Sequence, residues 1–327
     1  MPNTSLLSRL PLLPASFFAM TLGLAETGNA WRFAVPLWGL PPLVGELLQA
    51  LAALSFIWLL ALYTLKWLRH PAAARAEARD PVQSAFLALM PESLILMALA
   101  VLPYADGLAH ALFWLGSAAN LGYGAFRLAS LWSDPREPVH SVPPLFLTFT
   151  ASVLVNAIAA GVLGYNAYGW MLFGIGGVSW LVLDSVIAQQ LVHGQLAVKT
   201  RNFMGIYMAP SVVALVAYQV LSGSDLHPAV VYALAGYALF LAAALLLAVR
   251  WLREQDFAPG YWAYTFGVAT LAQGLMLMAQ RSAEPLLHGL AATLFGLSLL
   301  LTAAVAVGSL RLMLRGAYFP AAAPVAA

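Results

Sequence analysis

Residues 230–248 read Val230-Val231-Tyr232-Ala233-Leu234-Ala235-Gly236-Tyr237-Ala238-Leu239-Phe240-Leu241-Ala242-Ala243-Ala244-Leu245-Leu246-Leu247-Ala248, without one charged side chain. A helix of about 20 apolar residues crosses the hydrocarbon of a bilayer. Within that hydrocarbon only helices and closed barrels satisfy the backbone. A barrel strand would alternate apolar and polar residues over about 10 positions. This stretch is longer and does not alternate, so it reads as a membrane-spanning helix. Leu286–Ala306 has the same nearly uniform Ala/Leu/Val character.

Working outward, cuts at charge and Pro/Gly clusters predict ten spans: 14–32, 43–68, 82–103, 108–132, 144–164, 167–193, 203–222, 228–252, 259–281 and 285–314. Short links such as Pro103–Gly107 and Ser222–Asp225 join them in pairs. The expected architecture is an all-α membrane protein, one domain over residues 1–327, made of five helical hairpins. The longest link runs from Arg69 to Pro81, about 13 residues, too short for a separate domain.

Composition agrees. Of 327 residues, 62% are hydrophobic and 9% charged, with a mean hydropathy of +0.84. Soluble domains carry roughly 25% charged residues. These values exclude an ordinary soluble enzyme and a disordered chain. The net charge of +2 gives no basic patch for nucleic acid. The chain has no cysteine, which removes disulfides and thiol ligands. Met1–Pro14 carries one Arg and no long apolar run before Pro11, unlike a cleaved signal peptide.

Basic residues favour the cytoplasmic side of a span. Arg9, Lys66, Arg69, Arg75, Arg79, Arg127, Arg136, Lys199, Arg201, Arg250, Arg253, Arg311 and Arg315 fall on one side of the predicted topology; only Arg32 and Arg281 fall on the other. Both termini are therefore expected in the cytoplasm. Trp31, Trp67, Trp132, Trp170, Trp251 and Trp262 lie near span ends, where amphipathic rings settle at headgroup level.

The spans differ by parity. Odd spans carry helix breakers: Pro14, Gly23 and Gly28 in the first, Pro91 in the third, Gly205 and Pro210 in the seventh, Gly267 in the ninth. Pro14, Pro91 and Pro210 are the expected kink positions. Odd spans also carry weakly polar stripes at helical spacing. Ser16, Ala19, Gly23 and Glu26 share a face of the first, and Thr148, Ser152 and Asn156 of the fifth. Tyr207, Ser211, Ala214 and Tyr218 do so in the seventh, and Phe266, Thr270, Gln273, Leu277 and Gln280 in the ninth. One such stripe is explained by close packing and interhelical hydrogen bonds. Four confined to alternate helices point to a central pore lined by the odd spans. No Lys or Arg falls mid-span in them, so the path selects by width, hydroxyl donors and helix-end dipoles rather than by buried cations.

Glu92 follows Pro91 about ten residues into the third span, roughly 15 Å deep. An acid at that depth is a candidate functional group. Ionised and facing the path it would oppose anions; neutral, it would donate a hydrogen bond to a carbonyl freed by Pro91. Asp184 and His193 lie on different sides of the sixth span, Asp184 as a structural partner for a group such as Arg127, and His193 at the helix end. Glu26, Glu46, Asp106 and Glu284 are expected near the outer interface and solvated. No HExxH, GxSxG, Walker or GxGxxG pattern occurs in a supporting context. His70, His110, His140, His193, His227 and His288 are scattered, so neither a metal, a cofactor nor an enzyme activity is expected.

The run Trp262-Ala263-Tyr264-Thr265-Phe266-Gly267-Val268-Ala269 resembles the pore-gate segment of bacterial TehA-type channels, homologues of the plant guard-cell slow anion channel historically described as tellurite-resistance or dicarboxylate transporters. Met204-Gly205-Ile206 with Ala209-Pro210, Leu13-Pro14 with Phe18 and Leu22-Gly23-Leu24-Ala25, and Arg127 with Leu131-Trp132 are similar to that family in order and spacing, from about Leu13 to Phe319. The resemblance implies odd helices around a pore within each protomer, assembly as a homotrimer in the bacterial inner membrane, and Phe266 as the aromatic gate beside Gly267. It departs from the family at Thr148, in place of a frequent proline, at Ala19 and Thr21, and at Glu92. The expected function is a gated channel for small monovalent anions such as chloride or nitrate. The rival reading is a proton-coupled carrier of a dicarboxylate or oxyanion such as tellurite, with Glu92 titrating. The expected partners are small anions and lipid, with no nucleic acid.

Overall fold

A computed structural model describes residues 12–194 and 196–319. Arg9 and both termini, on which part of the expected orientation rests, lie outside the described residues. Among the described residues all regular structure is helical, with no strand.

The α-helices are α1 (Ala19–Trp38), α2 (Leu43–Arg69), α3 (Pro71–Arg79), α4 (Leu89–Val101), α5 (Asp106–Ser133), α6 (Phe146–Phe149), α7 (Ala151–Val162), α8 (Asn166–His193), α9 (Met204–Tyr207), α10 (Ala209–Ser222), α11 (Pro228–Leu247), α12 (Val249–Leu252), α13 (Trp262–Ala279) and α14 (Pro285–Leu314). Short 3₁₀ segments lead into α1 (Ala15–Phe18), α4 (Gln83–Ala88), α6 (Pro143–Leu145), α9 (Val198–Phe203) and α13 (Pro259–Tyr261). Prolines open many of these segments, because a first-turn residue needs no N–H partner and its φ is already helical.

Six continuous helical stretches are long and apolar enough to cross a membrane: Leu43–Arg69, Gln83–Val101, Asn166–His193, Val198–Ser222, Pro228–Leu247 and Pro285–Leu314. The pair Pro143–Phe149 and Ala151–Val162, bent by 40°, makes a seventh. The sequence reading expects ten spans. Among the remaining helices, α1 carries Glu26, Asn29 and Arg32, and α5 carries Asp106, Asn120 and Arg127, all of which lower their hydropathy.

Each short buried helix packs against the long helix that follows it: α1 on α2, α4 on α5, α7 on α8, α10 on α11 and α13 on α14. The buried ones also meet one another. Helix α1 touches α13 and α4, α4 touches α7, α7 touches α10, and α10 touches α13, which closes a ring. Leu154, Leu215 and Leu271 on this ring are fully enclosed, as are Phe113 and Leu172 facing it from α5 and α8. Close approach needs small residues: a Cβ on Gly23 of α1 would lie 2.0 Å from Thr265 Oγ1 of α13.

Several boundaries differ from the sequence reading. Helix α1 passes through Pro36 and continues to Trp38, where Gly39 takes a left-handed φ of +66° and its N–H caps Val35 O at 2.9 Å. The link after Arg69 is not a loop but holds α3, whose Glu77 accepts from Lys66 Nζ at 2.5 Å, Tyr63 Oη at 3.1 Å and Ala15 N at 2.7 Å. Lys66 also donates to Leu13 O at 3.0 Å, so this buried ion pair pins the start of α1.

The expected kinks fall at segment starts. Pro14 precedes the turn at Ala15 in extended conformation, Pro91 sits in the first turn of α4, and Pro210 follows the α9–α10 break at Met208. A bend of 40° occurs at Thr150, which is not a proline.

Candidate functional site

Two cavities lie inside the ring. The larger, of about 430 Å³, is walled near the N-terminal ends of the ring helices by Ala19 and Leu22 of α1, Glu92 of α4, Leu147 and Ala151 of α6 and α7, Ile206 and Ala209 of α9 and α10, and Trp262 and Phe266 of α13. Ser16 contributes from the turn before α1. The smaller, of about 210 Å³, is walled further along the same helices by Glu26 and Asn29, Leu96 and Leu99, Val155 and Ile158, Val220, and Phe266, Thr270 and Gln273. Every ring helix thus contributes to both. Among the described residues Phe266 is the one side chain in both walls, and it is buried.

The surroundings of Phe266 follow from its neighbours. Thr270 Oγ1 donates to Phe266 O at 2.8 Å, and Thr265 Oγ1 to Trp262 O at 2.8 Å, so the hydroxyls of this turn serve its own backbone. On the far face, Gly267 and Gly205 let α13 approach the α9–α10 break: a Cβ on Gly267 would lie 3.1 Å from Met208 Cγ, and one on Gly205 2.8 Å from Tyr264 N. The aromatic ring is therefore carried on a helix that packs closely behind it while its front borders open space.

Two acids face this space. Glu92 is buried at 1% exposure, and its Oε2 has no hydrogen-bond partner. Glu26, at 5% exposure, accepts from Asn29 Nδ2 at 3.2 Å, and Asn29 Oδ1 accepts from Gln49 Nε2 at 2.8 Å. The two stand on contacting helices, Glu92 in the wall of the larger cavity and Glu26 in that of the smaller. The expectation that Glu26 is solvated is corrected: its i, i+3 partner Asn29 and its place on the small-residue stripe were signals that it faces inward. Arg32, which also borders the smaller cavity, is bound by Glu46 at 2.6 and 2.9 Å and donates to Leu99 O at 3.1 Å and Ala100 O at 3.0 Å, so its charge is neutralised locally.

The structure separates the candidate pore residues into two groups. Ser16, Ala19, Glu92, Phe266, Thr270 and Gln273 border the cavities. Gly23, Thr148, Ser152, Asn156, Tyr207, Ser211 and Gly267 are not among the cavity-lining residues. Gly23 and Gly267 serve helix contacts, as above. Asn156 turns outward to α5, donating to Ser117 Oγ at 2.9 Å and Asn120 Oδ1 at 3.3 Å. Thr148 and Ser211 donate to Leu145 O and Met208 O, at 2.7 and 2.8 Å. Tyr207 meets Phe146 with ring centroids 5.8 Å apart, and Ser152 Oγ is buried without a partner. A helical stripe spans a wide arc, and part of each arc faces neighbouring helices rather than the axis. Asp184 accepts from Tyr237 Oη at 3.1 Å; Arg127 is not its partner. No group of three or more metal-ligating side chains occurs among the described residues.

Comparison with known proteins places this geometry. The "Tellurite resistance protein TehA homolog" of Haemophilus influenzae is 28% identical over 261 residues, covering 80% of this chain and 79% of the relative. The "S-type anion channel SLAH1" of Arabidopsis thaliana is 25% identical over 324 residues, covering 90% of this chain and 80% of the relative. The profile of the SLAC1 family, described as voltage-dependent anion channel, matches residues 13–310, the whole of the helical ring, and the chain belongs to that family.

Proposed function

We propose that the protein is a gated channel that passes small monovalent anions, chloride- or nitrate-like, through a pore within each protomer, with the Phe266 ring as its occlusion. The observation that carries this reading is the position of Phe266 as the shared wall of two cavities stacked along the ring. In this reading all ten helical segments span the membrane as five hairpins, α1, α4, α6–α7, α9–α10 and α13 line the path, and the protein sits as a homotrimer in a bacterial cytoplasmic membrane with both termini inside. The basic residues clustered at one end of the helices support that orientation. The cations that border the cavities, the exposed Lys199 and the Glu46-paired Arg32, place no buried unpaired charge on the path, which supports weak, transient anion binding, as rapid permeation requires.

Replacing Phe266 by Ala removes the ring and joins the two cavities. The expected result is a large rise in anion current across planar bilayers, with a reversal potential that follows the anion gradient. An unchanged current from a Phe266→Ala protein that keeps the wild-type size-exclusion profile would defeat the gate assignment.

One observation favours the second reading, a proton-coupled carrier of a dicarboxylate or oxyanion: Glu92 stands in the cavity wall with Oε2 unpaired. In that case an imposed pH gradient drives uptake into proteoliposomes and Glu92→Gln abolishes the coupling. Current that reverses at the anion equilibrium potential, insensitive to the pH gradient, selects the channel.

A further inference from the structure

Among the described residues three of the enclosed cations have carboxylate partners. Arg32 is held by Glu46 at 2.6 Å, Lys66 by Glu77 at 2.5 Å and Arg201 by Glu254 at 2.5 Å. Arg127 on α5 is 7% exposed, yet among the described residues it makes no ion pair and no hydrogen bond, and its Nε is sealed from solvent without an acceptor. A buried charge left unpaired costs several kcal/mol. A bound anion would remove this cost.

The corner around Arg127 has further unused capacity. One turn earlier on α5, Tyr123 Oη donates to Ser84 O, and the Ser84 hydroxyl itself is buried without a partner. Arg136, half-buried in the link after α5, is near enough that the Arg127 charge, added to burial, holds its pKa below the ordinary arginine value. Like charges that act on each other in this way repel, and a counter-ion between them would relieve the repulsion. Arg136 Nη2 donates to His140 O at 2.9 Å, and His140 Nδ1 is likewise sealed and unpaired. The nearby carboxylate, Asp80, does not bridge the pair within salt-bridge distance; its Oδ1 accepts from Val82 N at 2.8 Å and Gln83 N at 2.6 Å.

We propose that this corner, between α5, the Gln83–Ala88 turn and the 134–142 link, is a binding site for a phosphate-class oxyanion, gripped by Arg127 and Arg136 with Ser84 and His140 as additional donors. Planar guanidinium forks match tetrahedral oxyanions in geometry as well as charge. None of Arg127, Arg136, Ser84 and His140 walls the two cavities, although Gln83 and Phe86 of the same turn border the larger one, and the proposal does not depend on how the path is gated. Its occupant is either free phosphate or the headgroup of an anionic lipid, which share this chemistry.

The test uses the full-length protein in detergent, delipidated for the first arm. Inorganic phosphate is titrated at constant ionic strength against chloride, following thermal unfolding of the wild type, Arg136→Gln and Arg127→Lys. Arg136 lies outside the helices, so its variant tests the site even where an Arg127 variant folds poorly. Saturable stabilisation by phosphate beyond that by chloride is expected, with affinity lowered about tenfold or more in each variant, equivalent to at least ~1.4 kcal/mol. The second arm measures phosphatidylglycerol retained through purification by native mass spectrometry. Retention by the wild type and loss in Arg136→Gln assigns the site to a lipid headgroup; phosphate binding without such a difference assigns it to free phosphate. Equal effects of phosphate and chloride, or no saturable phosphate effect together with equal lipid retention in wild type and variants, overturns the proposal.

Discussion

The ring helices and the long helices outside them draw on the same Ala, Leu and Val, yet they occupy different environments. In the most apolar stretches of Gln83–Val101 and Val198–Ser222, 67% and 78% of residues are buried within the protein. In the outer helices Leu43–Arg69, Asn166–His193, Pro228–Leu247 and Pro285–Leu314 the shares are 33%, 28%, 22% and 28%. The outer helices turn Leu247, Leu286, Leu300 and Leu314 away from the protein, where lipid is as apolar as leucine and no packing partner is needed. The inner helices have to fit one another and leave space along their axis. That is why breaks, glycines and buried polar groups gather there. Hydropathy thus marks where the membrane is, while irregularity marks where the helices enclose the cavities.

Paired substitutions can break or sharpen this contrast, each read by thermal unfolding of the detergent-solubilised protein. The largest effect is expected at the latch between the two layers. Lys66→Ala leaves Glu77 buried without its ammonium and should cost ~3–5 kcal/mol, whereas Arg281→Ala, outside the ion pairs of the described residues, should change little. An equal response of the two would show that the latch does not hold the start of α1.

Next come the cores. Leu271→Ala, fully buried on α13, should lose ~2–5 kcal/mol, and Leu300→Ala, 69% exposed on α14, less than ~0.5 kcal/mol. Similar losses at both would mean that the outer face is covered by protein, as in an oligomer, rather than by lipid.

The smallest pair concerns glycine. Gly23→Ala drives a methyl into Thr265 and should cost ~1–3 kcal/mol. Gly236→Ala on α11, with nothing within 4 Å of the added carbon, should be neutral or stabilising by up to ~1 kcal/mol. A neutral Gly23→Ala would show that α1 and α13 can separate, and would weaken the case for a rigid ring around Phe266.

Much of this organisation is legible in the chain. The apolar runs at 230–248 and 286–306 specify helices, because a bilayer leaves the backbone no alternative. The alternation of interrupted and uninterrupted segments separates the inner from the outer helices before any contact is known. Phe266, Thr270 and Gln273 fall on one stripe by period alone, and that stripe borders the cavities. Period alone could not assign Asn156 or Gly23, since a helix in a ring offers two of its faces to neighbours and only a narrow arc to the axis. The outward turn of Asn156 depends on Ser117 and Asn120, nearly forty positions away in sequence.

The amino-acid sequence by itself determined the helical membrane architecture and the family, because both rest on composition and local order, which survive without knowledge of neighbours. Only the tertiary structure decided which polar groups are satisfied. It showed Glu26 enclosed beside Asn29, Glu77 drawn under α1 by Lys66, and Arg127 buried without a carboxylate. The reason is physical: the cost of a buried charge depends on what lies within a few ångströms of it, and those neighbours come from distant parts of the chain.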